Sequence, residues 1–135
     1  MEKQKKIIDA SVIVKWFADE EDSKKALTLR QDHIKERAKI IVPELIFAEV
    51  LNALHYKGKS EERLKEANQA LWDLQLQIEK TNIFLLNKAI ELSIKHEITL
   101  YDAIYLALAN VYGCPLITAD LTLGKLPNTI LLNKS

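Results

Sequence analysis

The chain has 135 residues, 48% hydrophobic and 28% charged, and its 19 basic and 19 acidic side chains balance to zero net charge. This is an ordinary globular composition, sufficient for one core and too short for two, and it lacks the global cationic footprint of a sequence-independent nucleic-acid binder. No apolar run approaches the roughly 18 to 20 residues that cross a bilayer, and no signal-type apolar segment follows the Lys-rich start, so the expectation is one cytosolic domain over residues 1–135 with no membrane partner. The lone Cys114 has no partner for an internal disulfide and reads as a small buried side chain beside Pro115.

In chain order, residues 6–10 read as a short buried strand ending at Asp9, followed by a turn and a helical segment that Ser11 could cap. Asp19 to Asp22 is an acidic cluster suited to a helix N-terminus, and residues 23–37 form a charged amphipathic helix. Ala38 to Val42 is a second strand, which Pro43 ends while opening a helix from Glu44 to Tyr56. Lys57-Gly58-Lys59-Ser60 is a turn whose serine caps a helix from Glu61 to about Leu76. Ile78 to Ile83 is a strand candidate, and Phe84 to His96 an amphipathic helix that turns Leu85, Ala89 and Leu92 inward, with Ile94 a further inward candidate. Tyr101 to Tyr112 is apolar nearly all round and therefore a buried helix; Gly113 stops it and Pro115 prevents its resuming. Leu116 to Thr118 is a strand running into Asp120, Leu121 to Leu126 a turn or short helix, and Thr129 to Leu132 a last strand. Short apolar strands alternating with helices predict an α/β protein with a mostly parallel sheet, whose strands all end on one edge.

Four acids stand in surroundings that repel charge. Asp102 begins the buried helix, and Glu49 has Leu45, Ile46 and Ala53 among its helical neighbours, with only Asn52 polar beside it. Asp9 and Asp120 follow strands. Each has a local explanation as well: Thr99 and Asp102 have the spacing of a capping box, and Asp9 and Asp120 suit caps or turns. Two carboxylates about 6 Å apart repel by roughly 3 kcal/mol at an effective dielectric near 20. Four gathered at one edge therefore need raised pKa values or a divalent cation, and an all-oxygen set selects Mg²⁺ or Mn²⁺ over Zn²⁺. A cation so held clamps a phosphodiester, acidifies a water and stabilises the leaving oxygen. His33, His55 and His96 fall in separate helices with no ligand spacing and read as surface or packing residues.

Taken together, Asp9-Ala-Ser11 with Lys15-Trp16, Pro43-Glu-Leu with Glu49-Val-Leu-Asn52, Leu100-Tyr-Asp102-Ala-Ile-Tyr-Leu-Ala-Leu-Ala109 and Leu116-Ile-Thr118-Ala-Asp120 resemble a PIN-domain ribonuclease, most closely the VapC toxins. The resemblance runs from Ile7 to about Leu132. It implies a Rossmann-like three-layer α/β/α sandwich and an endoribonuclease dependent on one or two Mg²⁺ or Mn²⁺ ions. It also implies homodimerisation and inhibition by a VapB-like antitoxin. Residue by residue, the family's acidic quartet falls on Asp9, Glu49, Asp102 and Asp120, its auxiliary hydroxyls on Ser11 and Thr118, and a frequent second polar position on Asn52.

The competing reading is a PIN-like module that binds RNA or protein without turnover, which loss of cleavage in Asp9→Asn or Asp102→Asn would separate from an enzyme. A phospho-accepting receiver domain needs an acidic pair beside the first strand, and a nucleotide enzyme a glycine-rich phosphate loop; neither is present. Lys15 and Lys125 read first as solvated surface side chains and second as candidate phosphate contacts. Trp16, Phe17, Phe47 and Trp72 read first as core-packing side chains and second as candidate anchors for an antitoxin or a second copy.

Overall fold

The computed structural model describes residues 3–135, in which five parallel strands form one sheet of order β3-β2-β1-β4-β5. They are β1 (Gln4–Ile8), β2 (Ala38–Pro43), β3 (Gln77–Glu79), β4 (Leu116–Thr118) and β5 (Thr129–Leu131). Ile7 and Ile8 pair with Leu116 and Ile117 on one side, and Ile7 pairs with Ile41 on the other. These side chains are buried whichever way they point, because a parallel sheet is covered on both faces.

The helices are α1 (Ala10–Ile13), α2 (Ser23–Ile34), α3 (Leu45–Tyr56), α4 (Glu61–Asp73), α5 (Ile83–His96) and α6 (Leu100–Tyr112). The steps β1 to β2 to β3 run one way across the sheet and the step β3 to β4 runs back. With right-handed crossovers, α1 to α4 therefore cover one face, and α5 and α6 the other. The packing agrees: α3 lies against α1 and α4, while α5 lies along α6, which rests on β1, β2 and β4. This is the α/β sandwich that the alternating pattern predicts.

The element boundaries differ from the sequence reading where a single residue breaks the local geometry. β1 ends at Ile8 because Asp9 leaves the ladder to cap α1, its Oδ1 accepting from the Ser11 amide at 3.1 Å. The cap is thus Asp9 and not Ser11. α2 stops at Ile34, short of Glu36 at φ 60°, and α4 at Asp73, short of Gln75 at φ 52°. Both are left-handed conformations that end a helix. β3 is only three residues long, and Asn82 caps α5 through the Leu85 amide, so Ile83 is helical. Gly113 at φ 66° closes α6 in a left-handed conformation that glycine adopts at less cost than residues bearing a Cβ.

Two proposed anchors belong to the interior. Trp16 is buried, its indole donating to the Ala26 carbonyl at 2.8 Å, and Phe47 is buried and stacks on Trp72 with ring centroids 4.0 Å apart. Phe17 is half-buried, and Trp72 keeps one face in solvent. His33 is a packing residue: its Nδ1 accepts from the Ile40 amide at 3.1 Å, leaving Nε2 to donate to the Leu74 carbonyl at 2.9 Å.

Candidate active site

β1 and β4 lie side by side although the chain leaves β1 in one direction and arrives at β4 from the other. The carboxyl ends of such a pair form the crevice where open α/β sheets hold ligands. Asp9 leaves β1 there, its backbone amide donating to Ile117. Both its oxygens are held: Thr118 Oγ1 donates to Oδ2 at 2.6 Å and Ser11 Oγ to Oδ1 at 2.5 Å. The two hydroxyls are themselves placed by the backbone of the opposing strand end, Ser11 Oγ accepting from the Ala119 amide at 2.8 Å and Thr118 Oγ1 from the Asp120 amide at 3.1 Å. Burial pushes the Asp9 carboxyl up to about 6, against those two hydrogen bonds, and the charge of Asp102 adds to the rise.

Asp102 enters from α6. Thr99 caps that helix by accepting from the Asp102 amide at 3.1 Å, which puts the carboxylate in the first turn, at the positive end of the helix dipole. Its pKa is raised by burial and then by the negative charge of Asp120, with Thr99 opposing. Glu49 comes from the second turn of α3, half-buried, with Oε1 accepting from the Tyr105 hydroxyl at 2.5 Å. Burial raises its pKa, Tyr105 opposes, and Asp102 again adds. Asp120 is exposed, and its Oδ1 accepts from the Thr122 and Leu123 amides at 2.8 and 2.9 Å, anchoring a 3-10 turn at Leu123–Lys125.

Asp102 is thus the common neighbour, raising Asp9 and Glu49 and raised by Asp120. The local caps foreseen for Asp9, Asp102 and Asp120 exist, and the same three side chains share one edge with Glu49. Among the described residues no lysine or arginine pairs with any of the four. Nor do three His, Cys, Asp or Glu side chains close there into a preformed ligand cage. The donor set is therefore open, all-oxygen and electrostatically uncompensated, which fits a hard divalent cation that keeps several waters.

Other candidates fare differently. Asn52 is exposed, and among the described residues no hydrogen bond joins it to the acids. Lys15 is committed elsewhere, donating to the Glu21 carbonyl at 2.6 Å and lying 3.6 Å from Glu20, which Lys57 also contacts. Lys125 is exposed on the turn that Asp120 anchors. One residue escaped the sequence reading: Tyr105, 1% exposed and hydrogen-bonded to Glu49. Its signal was a tyrosine one turn beyond Asp102 on a helix with no outer polar face, since a buried phenol requires an acceptor.

A parallel sandwich with carboxylates gathered at its switch point defines a recognisable class of α/β protein. The chain belongs to the PIN domain family, whose model matches residues 6–128. Ribonuclease VapC3 of Pyrobaculum aerophilum is 28% identical over 126 residues, spanning 90% of this chain and 93% of that protein. The crystal structure of PAE2754, also from Pyrobaculum aerophilum, superposes with a TM-score of 0.72 at 20% identity, covering 97% of this chain and 85% of that one. A toxin–antitoxin complex from Klebsiella pneumoniae contains a chain similar at a TM-score of 0.71 and 17% identity, covering 94% of this chain and 97% of that one.

Proposed function

We propose that this protein is a metal-dependent endoribonuclease and the toxin of a VapBC-type pair. The observation that carries the reading is the meeting of Asp9, Glu49 and Asp120 around Asp102 with no lysine or arginine paired to them among the described residues. The family membership and the ribonuclease relative point the same way. These four carboxylates would hold Mg²⁺ or Mn²⁺, which would supply charge neutralisation and Lewis-acid activation of water and phosphodiester. The chain's own part is to hold the carboxylates in place. Ser11 and Thr118 orient the two oxygens of Asp9, Tyr105 orients Glu49, the Thr122 and Leu123 amides orient Asp120, and the end of α6 presents Asp102. Without a cation the acidic edge repels RNA, so binding as well as turnover requires metal. Lys125 is the remaining local candidate for a phosphate contact.

The test is cleavage of single-stranded RNA by the purified chain. With Mn²⁺ the expected products carry 5′-phosphate and 3′-hydroxyl ends; EDTA stops the reaction and excess Mn²⁺ restores it. Retention of RNA without any cleavage in Mn²⁺ would favour the binding-module reading instead.

Partners follow from the same reading. The Klebsiella neighbour was solved as a toxin–antitoxin complex, which supports a VapB-like antitoxin here. A basic side chain from it, placed among the four acids, would take the cation's place. A second copy suits α5. Ile83, Asn87, Ile90 and Ile94 form a stripe at helical spacing away from the buried Leu85, Ala89 and Leu92, and its isoleucines are 69%, 46% and 75% exposed. An uncharged stripe of this kind is self-complementary, as an isologous interface requires. Ile90→Glu combined with Ile94→Glu is expected to convert a dimer to a monomer in analytical ultracentrifugation, with the circular dichroism spectrum unchanged.

A further inference from the structure

We propose that Tyr105 is a positioning residue: its hydroxyl tethers Glu49 Oε1 and so fixes the carboxylate that would hold the cation. This inference rests on the metal reading of the site given above. The tether is geometric. The phenolic oxygen lies 2.5 Å from Glu49 Oε1, and among the described residues no other hydrogen bond engages either oxygen of that carboxylate.

Tyr105 and Asp102 are three residues apart on α6, and so stand on successive turns of one rigid element. Glu49 belongs to α3, in the helical layer on the other face of the sheet. The bond therefore joins the two layers across the open edge, and α6 supplies one acid directly while fixing another. A glutamate on its own has three rotatable bonds to order whenever a ligand binds. A tethered one is already placed, as the groups behind metal ligands commonly arrange.

Tyr105 is 1% exposed, and Glu49 is the acceptor that its buried phenol requires. Core packing alone would be served equally well by phenylalanine.

Tyr105→Phe keeps the ring and deletes only the tether. By isothermal titration, the Mn²⁺ dissociation constant is expected to rise roughly 10- to 100-fold. At saturating Mn²⁺ kcat falls while KM for RNA stays within about twofold, since RNA contacts are untouched. In a Glu49→Gln background the same substitution is expected to add no further loss of Mn²⁺ affinity. The wild type supplies an independent readout: Mn²⁺ is expected to perturb the near-ultraviolet absorbance of a buried tyrosine, and Glu49→Gln to abolish that change. Wild-type Mn²⁺ binding matched by Tyr105→Phe, or no tyrosine signal on binding, overturns this proposal alone. Failure of the wild type to bind Mn²⁺ overturns the metal reading and the tether together.

Discussion

Asp102→Asn is expected to lower Mn²⁺-dependent RNA cleavage by about 10²- to 10³-fold or more, the scale on which removal of a preorganised charge from a reaction centre acts. The fold survives, because the amide of residue 102 still donates to Thr99 and the substitution is isosteric. Of the four acids Asp102 is the one whose loss reaches furthest, since its charge bears on both Asp9 and Glu49. The variant therefore carries a second signature that activity does not report. In carbon-detected NMR titrations of the metal-free protein, the Asp9 midpoint of about 6 and the raised Glu49 midpoint both move down once that neighbour is neutral. Activity lost with neither midpoint moving would separate Asp102 from the other acids.

The metal-free protein is expected to lose stability as pH rises toward neutrality, opposite to the usual behaviour of a domain held by carboxylate ion pairs. Asp9 titrates near 3.8 when unfolded and near 6 when folded. Between those values the folded state binds more protons, so unfolding becomes easier at each step upward. Complete ionisation of Asp9 costs about 3 kcal/mol. Glu49 and Asp102, also raised by burial, add in the same direction. Glu20, held low by the Lys57 ammonium, opposes them, but that pair is near the surface and weak. On the proposed metal reading Mn²⁺ would bind the ionised carboxylates, and is expected to restore stability near pH 7 and to do little near pH 4. Urea unfolding with EDTA or Mn²⁺ at the two pH values measures this. Asp9→Asn should flatten most of the EDTA curve, and an EDTA curve that rises with pH in the wild type would contradict the assignment.

Much of the architecture is local chemistry and could be read along the chain. Ser60 and Thr99 cap the helices they precede, Gly113 ends α6, and the apolar runs at Ile40–Val42 and Leu116–Thr118 are strands. Each depends on residues a few positions apart, and periodicity and capping report just such neighbours. The helix ends at Ile34 and Asp73 were not legible, because Glu36 and Gln75 adopt left-handed conformations that glycine would have announced and these residue types do not. Core packing was the leading sequence reading for the single aromatics, but their partners were not legible. Whether Trp16 faces solvent or the Ala26 carbonyl depends on where α2 lies, not on the residues beside Trp16.

For the site, the sequence by itself determined which carboxylates stand among apolar neighbours, since that mismatch is written into helix spacing and strand ends. Only the tertiary structure decided what surrounds them. The sheet order sets β4 beside β1, so that Thr118 meets Asp9 across 109 positions, and the two helical layers bring Tyr105 to Glu49 across 56. It also leaves Asn52 in solvent and turns Lys15 toward Glu20. Hydrogen bonds and charge act over a few ångströms of space, and distance along the chain says little about which groups fall within that range.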